Sequence, residues 1–291
     1  MTSSNRKRAL LSNALAEQLF SPDPLPPGSR VACCIEYNGH HFSGWQAQPH
    51  LDVATVQESL EQALSTIAAR PVRVHCAGRT DAGVHGIGQI VHFDDPVGRS
   101  CKAWVLGSNA SLPRSVRVHW AQQVPAEFHA RFSAEARSYR YIVCNTTIRP
   151  ALMEGLVTWY RAPLDACRMH EAAQALLGEQ DFSAFRAASC QSSTARRNVH
   201  NIDVVRKGDY VTVDITANAF LHHMVRNIVG SLLAIGSDRQ PVEWLSTLLA
   251  GRDRSLAADT APADGLYLSS VRYPPAFGLP EGVAGPTILA L

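Results

Sequence analysis

The residues best able to do chemistry lie together in one stretch, CAGRTDAGVHGIG, from Cys76 to Gly88. Its glycines let backbone come close to a ligand, often a phosphate. Yet the centre of the run is a carboxylate, Asp81, two residues from Arg79. Gly78 and Gly83 have the spacing that opens a P-loop, but Val84 and His85 follow where a P-loop needs lysine and then serine or threonine. A dinucleotide fingerprint also fails, because glycines 83, 86 and 88 are wrongly spaced and QIVHF continues as strand. Two readings stay open. Asp81 forms the turn of a glycine-rich hairpin, or it is a reactive carboxylate on a loop longer than a hairpin requires.

Histidine offers a second chemistry. His40 and His41 are adjacent, as are His222 and His223, with His85 and His92 elsewhere. Neighbours on a helix point about 100° apart, and no H-E-x-x-H is present, so no metal is expected. Seven cysteines without a C-x-x-C pair argue against a disulfide framework or a zinc ribbon and for a reducing cytoplasm. The apolar fraction of 46% and charged fraction of 18% suit a globular protein, and no apolar run approaches the roughly 18 residues of a membrane span.

The net charge of +2 proves no nucleic-acid partner. Of the basic residues, however, only Lys7, Lys102 and Lys207 are lysine. Arginine's planar fork suits phosphate and stacks on bases, although a GC-rich coding bias gives the same composition. From Phe182 to Ile202 there is no acidic residue, while Arg186, Arg196 and Arg197 stand among small polar side chains. That pattern fits a loop tracking a nucleic-acid backbone, and equally a solvated surface loop.

These residues need elements to hold them. RVACCIEY at 30–37 reads as a strand. Val53, Val56, Leu60, Leu64 and Ile67 follow helical spacing, with a capping box from Thr55 and Glu58. PVRVHCA and QIVHF read as strands on either side of the glycine loop; Ser100 caps a short helix; VRVHWAQQ at 116–123 closes the series. The second half repeats that β-α-β-β-α-β order. RSYRYIVCN is followed by a helix from Asp165 to about Leu177, then by VHNIDVV and YVTVDITA around the turn Lys207, Gly208 and Asp209. A long helix over AFLHHMVRNIVGSLLAIG, a shorter one near Pro241 and the strand GLYLSSVRY complete it. The expected fold class is α/β (α+β): two ferredoxin-like halves with mixed, mainly antiparallel sheets and a cleft between them. The boundaries are 1–28 for a loosely ordered extension (a transit peptide being the alternative), 29–135 and 136–280 for the halves, and 281–291 for a tail.

GRTDAGVHG, with EYNGHHFSGWQ before it and FHARFSA, RSYRY and AFLHHMVRNIVGSL after it, closely resembles the tRNA pseudouridine synthase A family. The resemblance runs in order from about Arg30 to Pro280. It implies the pseudouridine synthase fold and an isomerase that converts uridine to pseudouridine at nucleotides 38, 39 and 40 of the tRNA anticodon stem-loop. It also implies a cytoplasmic homodimer that binds tRNA and no membrane, and needs no cofactor or metal.

By the same resemblance Asp81 is the nucleophile, whether at the sugar C1′, at the base C6 or in expelling the base. Arg226 is its ion-pair partner from the other half. In an otherwise apolar helix, an unpaired arginine there would be costly. Tyr139, first tyrosine of SYRY, matches the residue that stacks on the base and helps remove the C5 proton; Tyr141 points the same way from a strand, so only the motif selects Tyr139. Arg79 matches the residue that fills the space left by the flipped uridine. Phe128, His129 and Arg131 in FHARFSA and the loop of Cys190, Gln191, Ser192 and Ser193 match segments that grip tRNA, and Arg99 is a further candidate for a phosphate contact. Three other readings stand beside this one: a non-catalytic RNA-binding protein, from which GIGQIVHF departs by lacking the RNP1 aromatics; a nucleotide-dependent transferase, weakened by the missing lysine and serine or threonine; and a pseudouridine synthase acting on another RNA.

Overall fold

The structure, a computed structural model, describes residues 21–280. The tail expected at 281–291 and the first twenty residues of the expected extension lie outside the described residues. The chain divides into two compact units. Among the described residues the first comprises 21–80, 86–134 and 273–280, and the second 81–85 and 135–272. The loop tip that carries Asp81 therefore belongs with the C-terminal residues, not with the strands that flank it in sequence.

The first unit is built from β1 (Arg30–Tyr37), α1 (Val56–Ala68), β2 (His75–Cys76), β3 (His85–Asp94), α2 (Cys101–Ser111) and β4 (Val116–Val124). The sheet runs β4-β1-β3-β2, with β1 antiparallel to both β3 and β4. Paired on both edges, β1 is buried from Val31 to Ile35. Thr55 caps α1 by accepting from the Glu58 N–H at 3.3 Å, as the capping box requires. The helix buries Val56, Leu60 and Leu64, each contributing roughly 1.5–3 kcal/mol of apolar burial. PVRVHCA forms only a two-residue strand, because Arg73 and the Val74 N–H turn instead to Glu61 of α1, at 2.6 and 3.1 Å. Residues 21–28 are held to this unit by a bridge from Pro24 to Ser100 and by bonds of Leu25 and Gly28 to Arg99 and Asp95.

The second unit contains β5 (Ala136–Cys144), β6 (Thr158–Trp159), α3 (Ala166–Ala173), β7 (Gly178–Asp181), β8 (Arg196–Lys207), β9 (Tyr210–Ala217), α4 (Met224–Gly236), α5 (Trp244–Gly251) and β10 (Leu266–Arg272). Its strands run β10-β5-β9-β8-β7, and β6 lies parallel to β5. With β6 and β7 set aside, this is the strand order of the first unit again, which makes the internal repeat a repeat of topology. All of α4 is buried except Arg226. A helix apolar all round belongs in a core, and this one is the centre of the unit's core.

The helix expected over AFLHHMVRNIVGSLLAIG begins only at Met224. His223 has φ 61°, a left-handed conformation that costs a non-glycine residue on the order of 1 kcal/mol. It breaks the chain into a turn at 221–224, closed by the Met224 N–H on the Leu221 carbonyl. Similarly, α3 stops at Ala173 and a tighter turn continues to Leu176.

Candidate active site

The loop at 76–88 is shorter than its sequence suggests, because β3 already starts at His85. Gln89, fully buried on β3, clamps its entry by donating to the Gly78 carbonyl at 2.6 Å. Two of the glycines serve the protein's own packing. Gly83 has φ +79°, and a Cβ there would stand 3.1 Å from Ala263; at Gly86 a Cβ would stand 2.5 Å from the Tyr37 ring. The Val84 N–H closes the tip on the Asp81 carbonyl at 3.1 Å. Asp81 is thus presented on a tight turn, its side chain 23% exposed.

Within the second unit Asp81 meets three cationic or potentially cationic side chains. Arg226 donates from a terminal nitrogen to Asp81 Oδ2 at 3.1 Å, and from Nε to the Ala261 carbonyl at 2.8 Å. His222 Nε2 lies 3.2 Å from Oδ1 and His223 Nε2 3.3 Å from Oδ2. The two imidazoles are stacked obliquely with centroids 4.0 Å apart. Burial pushes His223 below its ordinary range, against the pull of Asp81, and His222 and Arg226 push it the same way.

The two histidines are what sequence reasoning missed. Neighbours on a helix diverge, which argues against a shared partner, but neither residue is on the helix. The left-handed turn at His223 turns both rings onto one carboxylate. The signal in the sequence is the dyad itself, directly ahead of a buried arginine.

Among the described residues Asp81, His222 and His223 also form a set whose ligand atoms lie within 4.8 Å of one another, as a metal site would need. The Arg226 guanidinium on the same carboxylate opposes a cation there. Three donors around one carboxylate account for all four side chains.

Tyr139 lies on β5, opposite Ile215 and Leu268, and is 8% exposed. Its ring meets Phe220 edge to face at 5.0 Å, and Phe220 leads directly into His222. Tyr141 is fully buried and donates to the Pro262 carbonyl at 2.9 Å, so it is a core residue. A cavity of about 640 Å³ in this unit is lined by Trp159, Tyr160, Arg239, Trp244 and Asp259, among others, and by none of Asp81, His222, His223 or Arg226. Asp81 and its three partners meet at the loop tip, outside that cavity.

The residues expected to hold RNA are distributed differently from the sequence reading. Phe128 is completely buried, packed on Tyr273 and Phe277, so in this structure it anchors the loop and does not face a ligand. The exposed aromatic of FHARFSA is Phe132, 77% accessible, which lies against the His129 ring at 4.4 Å with the Arg131 guanidinium 5.7 Å from its centroid. Arg79 and Arg131 are exposed. Arg99 is exposed too, with Nε on the Ile67 carbonyl at 3.2 Å.

In the basic loop, Arg186 donates to the carbonyls of Cys190 and Ser192 at 2.9 and 2.7 Å, and Arg197 to Ser192 Oγ at 2.7 Å. Those two arginines brace the loop from inside. Arg196 remains outside, with Gln191 and Ser193. Burial raises the Cys190 thiol, but N–H groups of Ser192 and His222 and the Arg186 guanidinium outweigh it, leaving it below the usual thiol range.

The sequence profile described as tRNA pseudouridine synthase matches residues 33–133 and 172–274. The chain belongs to that family. It is 57% identical over 271 residues to tRNA pseudouridine synthase A of Escherichia fergusonii, covering 93% of this chain and all of that one. It is 58% identical over 264 residues to the protein of the same name from Salmonella paratyphi B, covering 91% and 97%. Family membership agrees with the resemblance carried by GRTDAGVHG and with the two mixed α/β units. A solved chain of a Cbf5-Nop10-Gar1 complex aligns at 10% identity and a TM-score of 0.30 over 81% of this chain and 57% of that one, too loosely to inform the fold. No helix among the described residues is long and apolar enough to cross a membrane.

Proposed function

We propose that this chain isomerises uridine to pseudouridine in tRNA, with Asp81 as the nucleophile. The observation that carries the reading is Asp81 on a rigid loop tip, bonded to Arg226, in a family of tRNA pseudouridine synthases. The reaction breaks the C1′–N1 bond, turns the base and forms C1′–C5. The C5 proton passes to water and N1 gains one, so atoms and electrons balance without an outside reagent. Asp81 attacks C1′ or C6, or assists departure of the base. Arg226, held by its second bond to Ala261, keeps the carboxylate oriented before the nucleoside arrives, which is preorganisation in place of solvent rearrangement. Tyr139 stacks on the extruded base and assists loss of the C5 proton.

The target is the anticodon stem-loop at nucleotides 38–40, entered by base flipping at a cost of a few kcal/mol. Arg79 fills the vacated stack. Arg131, His129, Arg99 and the 190–193 loop grip the phosphate backbone, recognising tRNA by shape. The working enzyme is a cytoplasmic homodimer.

The test is release of tritium from tRNA labelled at uridine C5, in buffer with no cofactor. Wild-type protein is expected to liberate label in proportion to pseudouridine formed. Asp81→Asn is expected to bind the same tRNA and liberate none; turnover by that variant would remove Asp81 from the chemistry. Mapping pseudouridine along the product tRNA decides the positions, and a modified site on another RNA would displace the anticodon assignment.

A further inference from the structure

His222 joins two parts of the second unit that have separate tasks in the reading above. On one side its Nε2 faces Asp81 Oδ1 at 3.2 Å. On the other, three bonds tie it to the basic loop. Its Nδ1 lies 3.0 Å from Ser189 Oγ, its N–H is 3.5 Å from Cys190 Sγ, and its carbonyl accepts from the Ala187 N–H at 3.1 Å.

One proton position follows from the partners. A carboxylate only accepts, so the hydrogen between His222 and Asp81 sits on Nε2, while Nδ1 faces a Ser189 hydroxyl that can either donate or accept. Serine, imidazole and carboxylate then form one hydrogen-bonded chain, Ser189 to His222 to Asp81.

The loop at this chain's far end is rigid where it meets His222 and open beyond it. Arg186 pins the carbonyls of Cys190 and Ser192, while Ser189, Gln191 and Ser193 are exposed. A ligand drawn against the exposed side chains would act on a braced loop, and a braced loop transmits displacement to its contacts. His222 is 39% exposed; its ring is bonded at both ends of this chain and packs on the His223 ring at 4.0 Å.

We propose that His222 is a positioning residue: through the Ser189 bond it makes the aim of Asp81 depend on engagement of the 187–193 loop by RNA. This rests on the isomerase reading above. It assigns to His222 and Ser189 an effect on turnover, not on tRNA affinity.

Substitutions that keep one end of the chain and cut the other make the test. Glutamine places a donor near the Nε2 position, and asparagine places an acceptor near Nδ1. His222→Ala is expected to lower kcat for pseudouridine formation about 10- to 100-fold, with KM for tRNA within about twofold of wild type. His222→Gln, which still reaches Asp81, is expected to recover most of that loss; His222→Asn, which reaches only Ser189, is not. Ser189→Ala is expected to lower kcat several-fold on its own and to add nothing in the His222→Ala background. Circular dichroism and thermal midpoints identify any variant that fails to fold, and the Ser189→Ala comparison then carries the test alone.

Raised KM at unchanged kcat in Ser189→Ala and His222→Ala would make both simple RNA contacts and overturn the proposal. So would additive losses in the double variant. If the wild-type protein forms no pseudouridine at all, the isomerase reading fails; if it does and these variants keep its kcat, only the role of His222 fails.

Discussion

Arg226 uses its guanidinium twice, on Asp81 and on the Ala261 carbonyl, with only 16% of the side chain exposed. Lysine carries the same charge but cannot span both acceptors, because its ammonium is a single point on a flexible stem. Arg226→Lys is therefore expected to lower kcat about 100-fold, the scale of losing one preorganised donor, while the dissociation constant for tRNA changes less than threefold. Single-turnover kinetics and filter binding separate the two. A variant that keeps wild-type turnover would show that charge alone suffices beside Asp81. The chemistry of this residue was legible in sequence, since an arginine in HHMVRNIVG had to find a partner. Its bond to a main-chain carbonyl was not, because carbonyl positions depend on how another segment is folded.

The segment that supplies this carbonyl is placed by a helix. On α4, Gly230 has no room for a side chain: a Cβ there would run into the Asp259 carbonyl oxygen. The close approach lets the Ala261 N–H reach the Arg226 carbonyl at 3.1 Å, while Asn227 Oδ1 accepts from Thr260 and Arg254 at 2.6 and 3.1 Å. Gly230→Ala is expected to cost about 1–3 kcal/mol in stability through overpacking and to lower turnover as well, since displacing residues 259–261 removes the anchor of Arg226. At Gly251, which ends α5, a Cβ would have nothing within 4 Å of it. There alanine is expected to stabilise by up to about 1 kcal/mol, because it restricts the unfolded chain and suits a helix. Chemical denaturation of the two variants side by side checks both signs.

At the scale of the whole molecule, stability should respond to pH through His92 in the first unit. His92 is 3% exposed, and its Nδ1 accepts from the Ala130 N–H at 3.1 Å. Burial first, then His129, His75 and Arg30, hold it down to about 4, with Asp94 opposing them. A histidine depressed in the folded state binds its proton more readily when unfolded. Its contribution is complete above about pH 6.5 and is lost as pH falls toward 4, a change of up to roughly 3 kcal/mol. Urea unfolding at pH 7.0 and pH 4.5 is expected to show that loss. His92→Asn, whose side-chain oxygen can take the Ala130 bond without titrating, is expected to flatten the slope; an unchanged slope would assign the pH dependence elsewhere.

Periodicity and end signals in the sequence determined the shared β-α-β-β-α-β order of both halves, though not the short strands β6 and β7 or the start of α4, because hydrophobic spacing and caps act over a few residues. The Thr55 cap, the turn at Gly208 and the Asp165 cap are all where local chemistry put them. Motif resemblance singled out Asp81 and Arg226, and the structure sets them 3.1 Å apart. Tertiary structure alone decided what surrounds them. Whether Phe128 or Phe132 faces outward, whether Arg186 and Arg197 are free or spent on their own loop, and whether two adjacent histidines diverge or converge all depend on packing against distant residues. The left-handed turn at His223 is the sharpest case. One backbone torsion, unfavourable in isolation and sustained only by the folded surroundings, turns a dyad that a helix would splay apart into two imidazoles on the Asp81 carboxylate.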